Sequence, residues 1–457
     1  MVEQFKSLLL LILIGLSLFL TYQLWYGQKP AEMVADDVYE QVDVEAPRKL
    51  EDAVVPGRII IPGDEGAHLF KKGDPDFEKI WVELSALLKS IENDFSADTQ
   101  NAPPEEAEMC LNAFFDLRLP TGNEMPWLSG LSEGSLDKLE LYCLEDDHWL
   151  VISNTDRGRQ YFKPEQGKLN QVTGVLEDIT ADDEPDYEYL DPEIVLEELE
   201  LDVVITAPIL VPRDEKSMNR LSLKAENIDQ ELLLKTFFVD YNLARVIEER
   251  DGGRLYTDGE KGLRLTDIGF EFSHPRVEEG QTSLTYSEAL RSSSNLISYH
   301  GGWPENLRLE DVGLKSREGN LFYEAEWMMY YNGYPLITRQ PTRISFNDLG
   351  LFRFTRFIFT TAKVPETPDD EHILNADQGQ VQVAAWSEAL SRALDVLAER
   401  TAAPQFRHNL EAMELSYVVT GTQTSPKGTP AWVVIINGEE IILRADDLEV
   451  INEEDLL

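Results

Sequence analysis

The sequence predicts an α+β chain: a single N-terminal transmembrane helix followed by a large extracytoplasmic part, the end of which holds two similar antiparallel-sheet-plus-helix units. Three observations carry this. The 22 residues between Lys6 and Lys29 include no charge. The rest of the chain bears the whole net charge of −45, since Glu3 and Lys6 cancel. Strand-like runs separated by Gly-containing turns lead twice into a helix, at 286–298 and again at 381–399.

The apolar stretch spans residues 7–28, after a short tail at 1–6. At about 1.5 Å of rise per residue it reaches roughly 33 Å, enough for a hydrocarbon core of about 30 Å. A cleavable signal would place small residues after its apolar run. Here Tyr22, Leu24, Trp25 and Tyr26 follow Leu20, and no cysteine offers a lipid-attachment site. The segment therefore reads as an uncleaved signal-anchor, with Tyr22, Trp25 and Tyr26 as membrane-interface anchors. Flanking Lys and Arg nearly balance, so orientation rests on the usual behaviour of such anchors: N-terminus cytoplasmic, large domain outside, the protein in the cell membrane as a single-pass chain.

About 430 residues follow, too many for one core, and two or three domains are expected. A surface this acidic repels nucleic acid and anionic headgroups, which excludes nucleic acid as a partner. Adaptation to a salty or alkaline exterior explains it better than a cation site. Cys110 and Cys143, the only cysteines, form no metal motif; outside the cell a disulfide or two free thiols both fit.

Residues 29–66 are rich in Pro, Gly and acid, with a short strand at Arg58-Ile-Ile-Ile61. Phe77, Ile80, Trp81, Leu84, Leu87, Leu88 and Ile91 recur at helical spacing behind Asp74-Pro75, a cap followed by a first-turn proline. A second helix is expected at 105–115, behind Pro103-Pro104. Strands follow at 139–154 and 160–162, and the acidic stretch 177–191 reads as a linker. Beyond it, runs at 237–242, 244–249, 254–256 and 262–265 are divided by Asp251-Gly-Gly253 and Asp258-Gly259, which is hairpin chemistry. After the helix at 286–298 the order repeats: strands within 320–331, a turn at Asn332-Gly333, strands at 343–346 and 352–359, then the helix at 381–399. Both helices contain Ser-Glu-Ala-Leu, at 287–290 and 387–390, each behind an aromatic residue. Strands at 415–420 and 431–437 close the chain. The expected domains are 29–190, 191–303 and 304–457.

No catalytic, metal or cofactor-binding residue is predicted. Gly130-Leu-Ser-Glu-Gly134 fits the nucleophile-elbow pattern, but that motif needs a buried strand before the serine, and Met125-Pro-Trp-Leu-Ser129 reads as loop. The six histidines show no ligand spacing. Asp146-Asp147-His148 reads as a turn, His300-Gly-Gly-Trp-Pro304 as a rigid connection, and the acids at 182–186 lack the pattern of a calcium loop. No phosphate-cradling loop exists. The chain is not expected to be an enzyme, and no cofactor is expected.

One ordered series of residues stands out: Thr21-Tyr-Gln-Leu-Trp25, Phe237-Phe-Val-Asp240, Tyr256-Thr-Asp-Gly259 with Gly262-Leu263, His300-Gly-Gly-Trp303, Tyr330-Tyr-Asn-Gly-Tyr-Pro335 and Pro430-Ala-Trp432. In this the chain resembles the YycH (WalH) family of low-GC Gram-positive bacteria along essentially its whole length. The resemblance implies a single-span protein with a three-domain extracytoplasmic part, the last domain YycI-like. It also implies a regulator that acts with the single-span protein YycI on the WalK (YycG) sensor histidine kinase, largely through transmembrane contacts. The extreme acidity departs from the family and puts any charge-based contact in doubt.

Such coupling needs a helix face that packs. Ser17 and Thr21 lie one turn apart, a small-xxx-small pair that admits a close neighbour. Ile14 and Leu24 extend the same face, so Ile14, Ser17, Thr21 and Leu24 are the expected partner stripe. The rival reading is a surface-anchored hydrolase or wall-associated binding module.

Overall fold

The computed structural model describes Leu13, Leu16 and the chain from residue 54 onward, apart from 64–65, 91–102, 105, 121–134, 145–146, 155–157, 163–165, 182–183, 200–202, 206–207, 251, 279, 305, 362–378 and 401–407. The expected span at 7–28 therefore lies outside the described residues, except for Leu13 and Leu16, both helical and exposed. Among the described residues no helix is long and apolar enough to cross a membrane. The described part is α+β, mostly strand, in two large sheets, the first antiparallel and the second mixed, with the strands Tyr334–Ile337 and Val203–Ile205 parallel to the strand His408–Thr422.

The first sheet forms around a hairpin, β1 (Arg58–Gly63) and β2 (Gly66–Lys71), followed by helix α1 (Pro75–Ser90). Asp74 caps that helix by accepting from the Asp76 backbone N at 2.8 Å, and the apolar face read from the sequence is buried from Phe77 to Leu88. Next come β3 (Glu108–Pro120), β4 (Ser135–Leu144), β5 (Asp147–Asn154), β6 (Gly158–Phe162), helix α2 (Gln166–Thr180) and β7 (Tyr187–Tyr189). With β9 (Leu210–Pro212) these give the order β6-β5-β4-β3-β1-β2-β7-β9.

Two expectations fail in this part, for identifiable reasons. The helix expected at 105–115 is the strand β3. Leu111, Ala113 and Phe115 are buried at every second position, the strand period, and β1 and β4 flank the strand. Pro103-Pro104 starts a turn, closed by the Ala107 N–H on the Pro104 carbonyl at 3.0 Å. Nor is 177–191 a linker. Its start completes α2, which buries Leu169, Val172 and Leu176, and Tyr187 is buried between β2 and β9. The acidic residues of this stretch begin only at Glu177 and Asp178, in the last turn of α2.

The chain then runs through α3 (Pro192–Leu199), β8 (Val203–Ile205), β10 (Ser217–Asn219), β11 (Leu221–Ala225) and α4 (Gln230–Phe237). The run expected as strand at 237–242 is instead the end of α4 and a 3-10 turn at Tyr241–Leu243. Asp229 fixes the start of α4 by accepting from the Glu231 and Leu232 backbone at 3.0 and 3.1 Å. A meander follows: β12 (Arg245–Glu248), β13 (Arg254–Thr257), β14 (Gly262–Leu265) and β15 (Gly269–Ser273). After the short α5 (Pro275–Glu278) comes α6 (Tyr286–Tyr299), with a capping box between Thr285 and Glu288.

Beyond α6 lie β16 (Leu307–Arg317), β17 (Asn320–Tyr331), β18 (Tyr334–Ile337), β19 (Thr342–Asn347), β20 (Gly350–Phe357) and β21 (Phe359–Thr361). Then β22 (Gln380–Gln382) pairs with β10, so the helix expected at 381–399 begins later, as α7 (Trp386–Arg400). Strands β23 (His408–Thr422), β24 (Ser425–Ile436) and β25 (Glu439–Arg444) finish the chain. The second sheet runs β12-β13-β14-β15-β20-β19-β17-β18-β23-β24-β11-β21, with β16 on β17, β25 on β24 and β8 on β23. Strands from before and after Trp303 are thus neighbours in one sheet, as β15 pairs with β20.

The repeat is visible in this sheet, phased from helix to hairpin. Helix α6 leads into β16 and β17, and α7 leads into β23 and β24; each hairpin continues through an Asn-Gly turn into β18 or β25. Trp327-Met-Met-Tyr-Tyr-Asn-Gly333 matches Trp432-Val-Val-Ile-Ile-Asn-Gly438. Both tryptophans are buried. Asn332, Gly333, Asn437 and Gly438 have φ of 48, 78, 54 and 78°, the two positive values in succession that a type I′ hairpin turn demands. In the shared Ser-Glu-Ala-Leu, the Ala and Leu of both helices are fully buried against the sheet.

Cys110 and Cys143 are joined by a disulfide between β3 and β4, their Cα atoms 6.1 Å apart. Cys110 is the extra residue of a bulge between Met109 and Leu111. Closing a loop of this length, 33 residues in sequence separation, stabilises by roughly 3–4 kcal/mol on the chain-entropy model. Replacing Cys110 by Ser should lower the urea midpoint accordingly, with the loss absent when wild type is measured under reductant.

Candidate functional site

Two constellations order the molecule: the seam between the two sheets and a buried polar knot at the His300 turn. The seam is built from the corner between β2 and α1. Lys71 Nζ reaches Glu414 Oε2 of β23 at 2.5 Å, and the buried Lys72 reaches Glu310 Oε1 of β16 at 3.0 Å. Tyr330 OH donates to the same Glu310 oxygen at 3.1 Å, and Arg308 Nη2 donates to Glu78 of α1 at 3.2 Å. Gly73 lies so close that a Cβ there would sit 3.1 Å from the Tyr330 Cβ. The Asn332-Gly333 turn therefore docks into the β2–α1 corner, which accounts for the length of the Tyr330–Pro335 motif. Farther along, Trp386 Nε1 donates to Glu188 Oε1 at 3.2 Å, tying α7 to β7.

Beside these ion pairs opens a cleft of about 430 Å³, lined among others by Arg58, Leu69, Lys71, Tyr330, Met413 and Glu414. Its lining mixes aliphatic groups with paired charges and presents no nucleophile with an adjacent base. Burial raises the pKa of Asp74, against the pull of the Asp76 amide.

In the knot, Arg356 of β20 is fully buried. Its Nε and Nη2 hold Glu226 at 3.0 and 2.8 Å, and its Nη1 and Nη2 donate to the carbonyls of Gly302 and Gly301 at 2.9 and 3.1 Å. Gly301 has φ of 112°, and a Cβ there would lie 3.0 Å from Arg356 Nε. The His300 ring stacks on Phe237 at 4.3 Å, and its Nδ1 lies 3.0 Å from Thr236 Oγ1. Because the Thr236 hydroxyl donates to the Leu233 carbonyl, Nδ1 carries the proton and donates. Trp303 Nε1 bonds the Leu307 carbonyl and its ring meets Trp327 edge-on.

The sequence-predicted site residues Ile14, Ser17, Thr21, Leu24, Tyr22, Trp25 and Tyr26 lie outside the described residues. So does Ser132 of the elbow-like pattern. Among the described residues no three His, Cys, Asp or Glu side chains gather to hold a metal. Sequence reading missed Lys71, Lys72, Glu310, Arg356 and Glu226. One signal was present: Lys71-Lys72 is the single Lys-Lys pair of an acidic chain.

Fold and site define an α+β chain of two sheets clamped together by buried and half-buried ion pairs. The family model of the YycH protein N-terminal domain matches residues 3–122, and that of the YycH protein C-terminal domain matches 207–367. Together they take in more than half of the chain, which belongs to the YycH family, a family of regulatory proteins. No curated protein and no solved structure matches it.

Two tests follow from the geometry. Glu310→Ala removes a charge-assisted hydrogen bond from the buried Lys72 ammonium and should cost on the order of 2 kcal/mol in denaturant unfolding. Burial first, and then the Arg356 guanidinium, hold the His300 imidazole down to about 3. A histidine depressed in the fold stabilises fully above its unfolded pKa, near 6.5, and loses that contribution as pH falls towards 3. The slope between wild type and His300→Phe over that window should approach about 1.4 kcal/mol per pH unit, measured by urea titration at stepped pH.

Proposed function

We propose that this chain is a membrane-anchored regulator of a WalK/YycG-type sensor histidine kinase that controls cell-wall metabolism. It acts with a YycI-like single-span protein through transmembrane and extracytoplasmic contacts. The observation that carries this reading is where the N-terminal family match begins. It starts at residue 3, so the uncharged stretch and the β1–β3 region belong to one family feature. A body anchored by residues 7–28, N-terminus inside, holds its mixed, acidic domains outside the membrane.

In this reading Ile14, Ser17, Thr21 and Leu24 face the partner helix, and Tyr22, Trp25 and Tyr26 set the depth of the helix at the outer interface. The seam supports a mechanical role. The β2–α1 corner, which follows the anchor in the chain, is locked to β16 and β23 by ion pairs, so the outer domains move with the N-terminal unit. Catalysis has no part in the proposal.

Replacing Ser17 and Thr21 by Leu removes the close-approach surface, worth on the order of 1 kcal/mol. It should change transcription from a kinase-controlled promoter severalfold at unchanged membrane levels of the protein. Unchanged output would exclude the stripe. Recovery of a histidine kinase and a second single-span protein with the full-length chain from cross-linked membranes is the companion test. Hydrolytic activity of the purified chain in place of that recovery would favour a surface-anchored hydrolase.

A further inference from the structure

Among the described residues one end of the second sheet has an open edge. Strand β12 pairs with β13 and with no other described strand, and all four of its residues are exposed. Val239, Leu243, Val246 and Ile247 are 79, 76, 53 and 50% exposed, an unusual density of large apolar side chains within nine residues. The Glu249 N–H donates to the Gly253 carbonyl. Alternation along the β12–β13 register therefore turns the hydrogen-bonding groups of Arg245 and Ile247 inward and those of Val246 and Glu248 outward. No proline, lysine or bulge guards this edge; its charged residues are Arg245 and Glu248, one of each sign, which a partner strand can pair.

Charge selects the occupant. From Leu243 to Tyr256, Arg245, Arg250 and Arg254 balance Glu248, Glu249 and Asp251, a neutral island on a chain with 85 acidic and 40 basic residues. A like-charged copy meets least repulsion there. We propose that β12 pairs antiparallel with β12 of a second copy, about a two-fold axis through Ile247. A two-fold axis normal to the sheet allows only registers in which facing side chains point to the same side. Centring on Ile247 sets Arg245 opposite the second copy's Glu249, Ile247 opposite its equivalent, and Glu249 opposite Arg245. Val246 and Glu248 exchange backbone hydrogen bonds. Centring on Val246 instead pairs no opposite charges. Glu249 already holds Arg264 Nε at 2.5 Å, and Arg264 reaches Glu271 at 3.2 Å, so the incoming arginine extends an existing ladder of alternating charge.

The test uses single cysteines in the full-length chain in its membranes, where the native cysteines are bonded to each other. Facing positions of the non-hydrogen-bonded kind bring Cα atoms to about 4.5 Å, within disulfide reach. On mild oxidation Ile247→Cys should give a reducible dimer, and Val246→Cys and Leu243→Cys should not. Adding Arg245→Glu to Ile247→Cys sets like charges opposite Glu249 twice and should cut the dimer yield roughly fivefold. Ile247 is half exposed, so the substitution spares the core; the intact Cys110–Cys143 bond in the same sample reports folding. A monomer throughout overturns the proposal, as does a stronger dimer from Val246→Cys or an adduct with a different polypeptide in place of the dimer.

Discussion

The second sheet depends on satisfying one buried cation. Arg356 sits on an inward position of β20, where a strand normally places an apolar side chain, and a bare guanidinium there would be prohibitively costly. Its partners come from separate segments: Glu226 just past β11, and two glycine carbonyls just past α6. The charge is neutralised only when the strand, the helix end and the β11 exit have all arrived. Bidentate geometry adds direction, since the planar guanidinium accepts the carboxylate in one orientation. The ring of His300 remains neutral beside it, stacked on Phe237 and bonded to Thr236, and so closes the cavity without adding a second charge. The residues that look most like chemistry in the sequence, His300 and the glycines after it, are thus the lid of a structural ion pair.

The seam works by a related logic. Two adjacent lysines at the end of β2 point into the body and meet carboxylates there, on β16 and on β23. In a chain so rich in acid, cations are scarce, and placing several of them at this boundary neutralises carboxylates that would otherwise push the two sheets apart. The acidic excess is left to the outer surface, where water and salt screen it.

Local patterns made much of this fold legible. The helical spacing from Phe77 to Leu88, the Thr285 and Asp229 starts, and the Asn-Gly turns are signals within a few residues, and sequence carries them directly. The helix expected behind Pro103-Pro104 failed because β3 takes its identity from neighbours far away in the chain, β1 and β4. The helix α2 is obscured by its sparse apolar residues and two glycines, and α4 by the aromatic run at its end. The repeat is legible in the order of elements, with Ser-Glu-Ala-Leu in both helices, while its phase, helix first and hairpin second, rests on the corresponding places of Trp327 and Trp432. Of the ordering residues, Lys71 and Lys72 were conspicuous by composition, and Arg356 by breaking the alternation of Phe352 and Phe354. Their carboxylate partners lie 343, 238 and 130 residues away, and no periodicity reports on such distances.

The two Asn-Gly turns are alike in backbone and opposite in circumstance. A Cβ at Gly333 would meet Lys71 and Asp74 within 4 Å, whereas Gly438 faces open space. Duplication supplied two equivalent corners, and only the first was spent on receiving the N-terminal unit. The spare corner is a natural handle. A short epitope or a fluorophore grafted at 437–438 would ride on a strand pair away from the seam, giving a fixed vantage from which the orientation of this protein can be followed in living cells.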